Sequence, residues 1–276
     1  MENMETGTAN KTLNYTEVKN TIVEWLKNYA TNAKQNGYVI GISGGIDSAV
    51  CSTLCAMTGL HLTVVRMSIH QALDQADRGA KHIEWLKKNF SNVKSLDIEL
   101  TETFDKQMEI LGNADAFLGI SDEKVFLAGA NTRARLRAVT LYAIASTHNL
   151  LVCGTGNKVE DYGVQFFTKY GDGAVDISPI GDLMKTETYI LGKELGVIQE
   201  ILDAIPSDGL WGDNRSDESQ IGASYPELEW AMNYIEDGSM MSSRQKEVLD
   251  IYRARHTANA HKMSMPPICD IQKLRI

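Results

Sequence analysis

A strand that becomes a helix across two glycines constrains this chain more than any other feature. Tyr38-Val-Ile-Gly-Ile-Ser43 is short and apolar, Gly44-Gly45 interrupts it, and Ile46 to Met57 continues as an apolar stretch of helical length. The pattern then repeats, with strands expected at Leu62 to Met67 and Val93 to Ile98 and helices at Asp74 to Asn89 and Glu102 to Leu111. A longer helix is expected from about Ser121 to Thr147, feeding the apolar strand Leu150 to Cys153, which again ends in glycines at Gly154-Thr155-Gly156. Such alternation predicts an α/β fold: a doubly wound parallel sheet flanked by helices, in a single domain. An amphipathic helix is predicted ahead of it from Tyr15 to Asn36, with Gly37 in the left-handed position beyond its end. A last helix is predicted from Ser243 to Ala260.

The glycine loop carries the first chemistry. Gly41-Ile42-Ser43-Gly44-Gly45-Ile46-Asp47-Ser48 lies where open α/β sheets bind phosphates, at the carboxyl end of a strand and the amino end of a helix. Glycines let backbone N–H groups approach an anion, the two serines add hydroxyl donors, and the helix start adds a partial positive charge. The loop has neither the lysine of GxxxxGK[ST] nor the spacing of GxGxxG. Asp47 would repel phosphate oxygens unless a divalent cation lay between, which points to Mg²⁺. The plain alternative is a glycine turn with an acidic helix start.

Bulk properties narrow the partners. The 276 residues carry a formal charge of −9, with a pI near 5.2, so broad attraction to nucleic acid or anionic lipid is not expected. No apolar run reaches the ~18 residues of a membrane span. The four cysteines, Cys51, Cys55, Cys153 and Cys269, lack metal or redox spacing and are expected as reduced thiols in the cytoplasm. Residues 1–12 are expected as a flexible tail, 13–270 as the domain and 271–276 as a second tail. Phe166 to Gly181 and Pro206 to Tyr225 are expected as long irregular loops, which in compact domains are usually functional.

The string SGGIDS resembles the signature of the ATP pyrophosphatase superfamily, the adenine nucleotide alpha-hydrolase-like fold. Further strings narrow this to the NAD synthetase family: Ala134-Arg-Leu-Arg137, Gly154-Thr-Gly-Asn-Lys-Val-Glu160, Phe167-Thr-Lys-Tyr-Gly-Asp-Gly173, Asp176-Ile-Ser-Pro-Ile180, Lys185-Thr186 and Pro206-Ser-Asp-Gly-Leu-Trp211. The likeness runs from about Tyr15 to Pro267. It implies amidation of deamido-NAD with ammonia in two steps: ATP adenylates the nicotinate carboxylate with release of pyrophosphate, then ammonia displaces AMP to give NAD. It also implies a homodimer. The region resembling a synthetase begins near residue 15 and leaves no room for a glutaminase domain, so free ammonia is the expected nitrogen source.

Residue by residue, the resemblance implies that Gly41 to Ser48, Thr155, Lys185 and Ser207 bind ATP, with Asp47 and Lys185 catalytic. It implies that Arg135, Lys169, Asp176, His261 and Lys262 bind deamido-NAD, and that Asp47 and a carboxylate of Glu160-Asp161 hold Mg²⁺. Here the chain departs from the commoner family spacing. Counting forward from Thr155 selects Glu160 and counting back from Lys169 selects Asp161, as if one residue were inserted between; Glu160 is the choice adopted. Arg133, Arg135 and Arg137 cannot all share one helix face, so one or two are expected to point inward. Asp172 and Asp176 are the nearby acids that could take a proton from ammonium. Competing readings are a sister enzyme with the same first loop, GMP synthetase-like or tRNA-thiolating, and an ATP sensor without turnover. Cys51 and Cys55, on the helix behind the loop, read as core rather than as thiolation catalysts.

Overall fold

The computed structural model describes residues 13–70, 73–206, 216–236 and 240–272, with the backbone alone for 73–76. Strands β1 (Gly37–Gly41), β2 (His61–Ser68), β3 (Val93–Glu99) and β4 (Leu150–Val152) form a parallel sheet in the order β3-β2-β1-β4. Tyr38 of β1 pairs with Leu62 of β2 on one side and Leu151 of β4 on the other. The chain steps outward from β1 to β3 and then returns to the opposite side of β1. Loops leaving β1 and β4 therefore diverge, and the crevice between them is the switch point at which such sheets bind ligands.

Helices α1 (Tyr15–Asn32), α2 (Ile46–Met57), α3 (Leu73–Asn89), α4 (Thr101–Asn113) and α5 (Asp122–His148) flank the sheet. After β4 come a π-helical turn (Lys158–Gly163), α6 (Lys185–Glu194), α7 (Gln199–Leu202), α8 (Asp217–Ile221), α9 (Tyr225–Asn233), α10 (Ser243–Asn259) and a 3₁₀ turn (Ala260–Lys262).

Strand alternation sends successive residues to opposite faces. Tyr38, Ile40, Leu62 and Val64 pack with Leu26 of α1, Leu54 of α2 and Leu86 of α3. Val39, Val65 and Met67 pack on the other face with Ala145 and Leu141 of α5. Each fully buried large side chain contributes about 1.5–3 kcal/mol. Tyr38 also keeps its hydroxyl satisfied, donating to the Leu26 carbonyl at 2.5 Å. A third cluster, with Val159, Tyr225, Leu228 and Val248, joins the π-helical turn to α9 and α10.

Two expectations are corrected. Helix α1 ends at Asn32, four residues early, and the left-handed residue is Lys34, with φ 55°. Gly37 instead opens β1 at φ 150°, where an added Cβ would lie 1.9 Å from the His61 carbonyl oxygen; glycine is required there by strand contact, not by helix termination. Within the tract expected as irregular from Pro206 to Tyr225, Asp217–Ile221 forms α8, because the Ser216 side chain accepts from the Ser219 N–H and caps it.

His82 gives the fold an acid limit. It is buried on α3, stacks on Trp85, and its Nε2 lies 2.9 Å from Ser52 Oγ on α2. Burial pushes its pKa down from 6.5 to about 4. The unfolded chain therefore binds the extra proton first, and the stabilisation, complete above pH 6.5, is lost as pH falls toward 4. Denaturant unfolding is expected to show a slope from this residue of about 2 kcal/mol between about pH 7 and 5. The variant His82→Gln should lack that component; an unchanged pH slope would assign acid lability elsewhere.

Candidate active site

The loop between β1 and α2 is held open by its own side chains. Gly44 has φ 85°, a conformation glycine adopts without strain. Ser48 Oγ donates to the Gly45 carbonyl at 3.0 Å, Ser43 Oγ accepts from the Gly45 N–H at 3.2 Å, and the two hydroxyls lie 3.1 Å apart. These bonds shape a turn that, with the start of α2, lines a cavity of about 660 Å³.

Across the crevice, the chain after β4 contributes the acidic side of the site. Asn157 is buried, and its Oδ1 accepts from the Val159 and Glu160 N–H groups at 3.1 Å each, capping the π-helical turn. Its Nδ2 donates to Asp47 Oδ1 at 3.2 Å, so one amide joins both loops. A π turn holds one residue more than an α turn in the same span, which would accommodate the one-residue difference expected between Thr155 and Lys169. It also separates the two candidate acids. Glu160 lines the cavity, whereas Asp161 is tucked under Gly156, where an added Cβ would lie 1.7 Å from Asp161 Oδ2.

Lys185, the first residue of α6, closes the cluster. Its buried Nζ donates to Asp47 Oδ2 at 2.6 Å and to Glu160 Oε1 at 2.8 Å. Burial opposes its charge, but the two carboxylates outweigh that and hold its pKa above the ordinary value. Burial also pushes the Asp47 carboxyl up. For Glu160 burial acts the same way, yet Lys185 and the hydroxyl of Tyr225 prevail and hold it below the usual range. The two carboxylates share one ammonium at the wall of a cavity that the glycine loop also lines. Asp47 and Glu160 offer hard carboxylate oxygens, the ligand type that would suit Mg²⁺. Among the described residues, no group of three or more His, Cys, Asp or Glu is arranged to hold a metal by itself.

Gly41 to Ser48, Thr155, Glu160, Lys185, Arg135, Lys169, His261 and Lys262 all line this one cavity. Ser207 lies outside the described residues. Asp176 does not line the cavity: its carboxylate accepts from the Tyr142 hydroxyl at 3.1 Å and the Val152 N–H at 2.7 Å, fastening the loop to β4. Lys169 Nζ donates to the His261 carbonyl at 2.6 Å, and Lys262 Nζ donates to the Gln165 and Phe167 carbonyls at 2.9 and 2.8 Å. The two lysines thus tie the loop before Gly173 to the 3₁₀ turn.

Of the three arginines of α5, Arg133 is buried beside Phe104 and Phe126, Arg135 is exposed at the cavity rim, and Arg137 turns inward. Arg137 donates to the Met67 carbonyl at 3.0 Å, and burial with Arg133 nearby lowers its pKa to about 10, which leaves it charged at neutral pH. Sequence reasoning gave no role to Asn157 or Arg78. Asparagine directly after Gly-Thr-Gly is a cap signal. Arg78, whose Nε lies 3.4 Å from the Gly44 carbonyl, has no local signal. Cys51 and Cys55 are buried on α2 behind the loop as core, and the buried Cys153, at the cavity wall, has its sulfur 3.6 Å from that of Cys55.

The model of the NAD synthase family matches residues 18–266. The NH(3)-dependent NAD(+) synthetase of Mycoplasma genitalium is 37% identical over 238 residues, 86% of this chain and 90% of that protein. A solved NMN synthetase from Francisella tularensis superposes with a TM-score of 0.80 at 31% identity, covering 94% of this chain and all of that one. The NH3-dependent NAD synthetase of Campylobacter jejuni, solved with nitrate, gives a TM-score of 0.71 at 25% identity, covering 94% and 100%. With that match across nearly the whole chain, and the loop, the acidic pair and the lysine brought into one crevice, the chain belongs to the NAD synthase family.

Proposed function

We propose that the protein makes NAD from deamido-NAD, ATP and ammonia, releasing AMP and pyrophosphate. The observation that carries this reading is the Asp47–Lys185–Glu160 cluster facing the glycine loop across the switch point. In it, Gly41 to Ser48 with Thr155 cradle the ATP phosphates, and Ser207 joins them. Asp47 and Glu160 would hold Mg²⁺, which when bound would supply charge neutralisation on the pyrophosphate leaving group. Lys185 places a permanent positive charge beside the same phosphates, and the cavity wall aligns the nicotinate carboxylate for in-line attack on the α-phosphorus. Arg135, Lys169, His261 and Lys262 bind deamido-NAD. Asp176, assigned to the same substrate by family resemblance, is fastened to Tyr142 and Val152. Asp172 lines the cavity and accepts from the Thr168 N–H at 2.9 Å, which makes it the better placed of the two acids to receive a proton from ammonium.

The homodimer reading is supported by exposed apolar side chains along α5 and its approach, including Leu118, Leu127 and Val139, at 80%, 53% and 67% exposure. Leu127 also lines the cavity, so a second copy covering this face would complete its wall. The free thiols suit a cytoplasmic setting. Among the described residues, no helix is long and apolar enough to cross a membrane.

The likeness to an NMN synthetase favours a second reading, in which the acid amidated is nicotinate mononucleotide. Competition between the two acids, with ATP, Mg²⁺ and ammonium, decides between them. Preferential NAD formation supports the dinucleotide reading, and preferential formation of the mononucleotide amide overturns it.

A further inference from the structure

We propose that α9 is a spacer that sets Glu160 against Lys185, with Tyr225 and Glu229 as positioning residues for the ATP and metal half of the site; this rests on the function proposed above. Tyr225 and Glu229 are four residues apart on one helix and so share a face. The Tyr225 hydroxyl donates to Glu160 Oε1 at 2.5 Å, and its ring lies 5.0 Å from the Lys185 ammonium. One turn on, Glu229 Oε1 accepts from the Thr186 N–H at 2.9 Å and Oε2 from the Thr186 hydroxyl at 2.7 Å.

The second pair performs a cap. Helix α6 begins at Lys185, and its preceding residue Met184 has no side-chain oxygen to satisfy the free N–H groups of the first turn. Glu229 supplies that acceptor from another helix, and the residue it fastens is the neighbour of Lys185. A single rigid helix thus grips the carboxylate on one side of the site and the base of the lysine on the other. Its rigidity has visible causes. Ser224 and Glu227 form a capping box, Arg244 of α10 donates to both Glu227 oxygens at 2.7 and 2.8 Å, and Leu228 is fully buried.

The hydroxyl is not needed to fill space, since phenylalanine occupies the same volume. It places a hydrogen bond on the same oxygen that receives Lys185, so neither bond needs the second oxygen of Glu160. The positional tolerance of such a site is about half an ångström, which is the reason a spacer matters.

The test is calorimetric binding of ATP with Mg²⁺ to the full chain, without the acid substrate, beside thermal melting and the KM for deamido-NAD. Tyr225→Phe is expected to melt within a few degrees of the unsubstituted protein, to bind ATP with Mg²⁺ about tenfold more weakly, and to keep its deamido-NAD KM within about twofold. Glu229→Gln should weaken the same binding, and Thr186→Val, which removes the hydroxyl end of that contact alone, should do so in smaller measure. Binding within twofold of the unsubstituted protein in Tyr225→Phe and Thr186→Val overturns the proposal. So does equal weakening toward ATP and deamido-NAD, the mark of a general packing role. Because ATP binding is read without turnover, a protein that amidated some other acid would still pass or fail this test, while NAD formation by the unsubstituted chain judges the function.

Discussion

Lys185→Met is expected to lower turnover on the order of a thousandfold and to destabilise the fold by about 3–5 kcal/mol. Both effects have one origin. Lys185 is 3% exposed, and its ammonium is the group shared by Asp47 and Glu160. Methionine fills the space of the side chain but leaves two buried carboxylates facing each other. Breaking such a cluster costs more than the net worth of its bonds, since the remaining charges have been taken from water. Millimolar Mg²⁺ is expected to recover much of the lost melting temperature, as a cation able to sit between two carboxylates. It should not recover turnover, because the fixed charge beside the phosphates is gone. A variant that melts like the unsubstituted protein and loses less than about tenfold in kcat would show that Lys185 neither balances the acids nor meets the phosphates.

Glu160→Gln is expected to lower turnover by roughly a hundredfold or more, while Asp161→Asn stays within about threefold. These neighbours are chemically alike, so the contrast comes from geometry alone. Glu160 lines the cavity and bonds to Lys185 and Tyr225. Asp161 lies under Gly156, and burial, with Glu160, Asp172 and Asp47 nearby, pushes its pKa well above the ordinary value. A carboxyl whose charged form is disfavoured in this way loses little when an amide replaces it. Steady-state rates across a Mg²⁺ titration check the pair. The reverse order would move the metal to Asp161 and the count from Lys169 would be the correct one.

Much of the fold was legible because its signals are local. Alternating apolar runs and the glycines after β1 and β4 gave the parallel sheet, and Ile46–Met57 matches α2 at both ends. The crevice follows from the strand order β3-β2-β1-β4, which no local signal encodes. Errors arose where a residue answers to a distant neighbour. Gly37 looks like a helix terminator in sequence, yet the His61 carbonyl of the next strand dictates it. The counting conflict between Thr155 and Lys169 was visible in sequence, but not the π turn that has Glu160 facing the cavity and Asp161 under Gly156. The bonds of Asp176 to Tyr142 and to β4 are likewise long-range and have no spacing signal. Tyr225 and Glu229 were silent because their partners lie 65 and 43 residues away.

The measurement that meets the central claim most directly follows oxygen. Deamido-NAD labelled with ¹⁸O in the nicotinate carboxylate is incubated with the protein, ATP, Mg²⁺ and ammonium, without glutamine. If the carboxylate attacks the α-phosphorus and ammonia then displaces AMP, NAD, AMP and pyrophosphate form in equal amounts and each AMP carries one labelled oxygen. Label in inorganic phosphate with ADP as the nucleotide product, or no NAD without glutamine, would contradict the account.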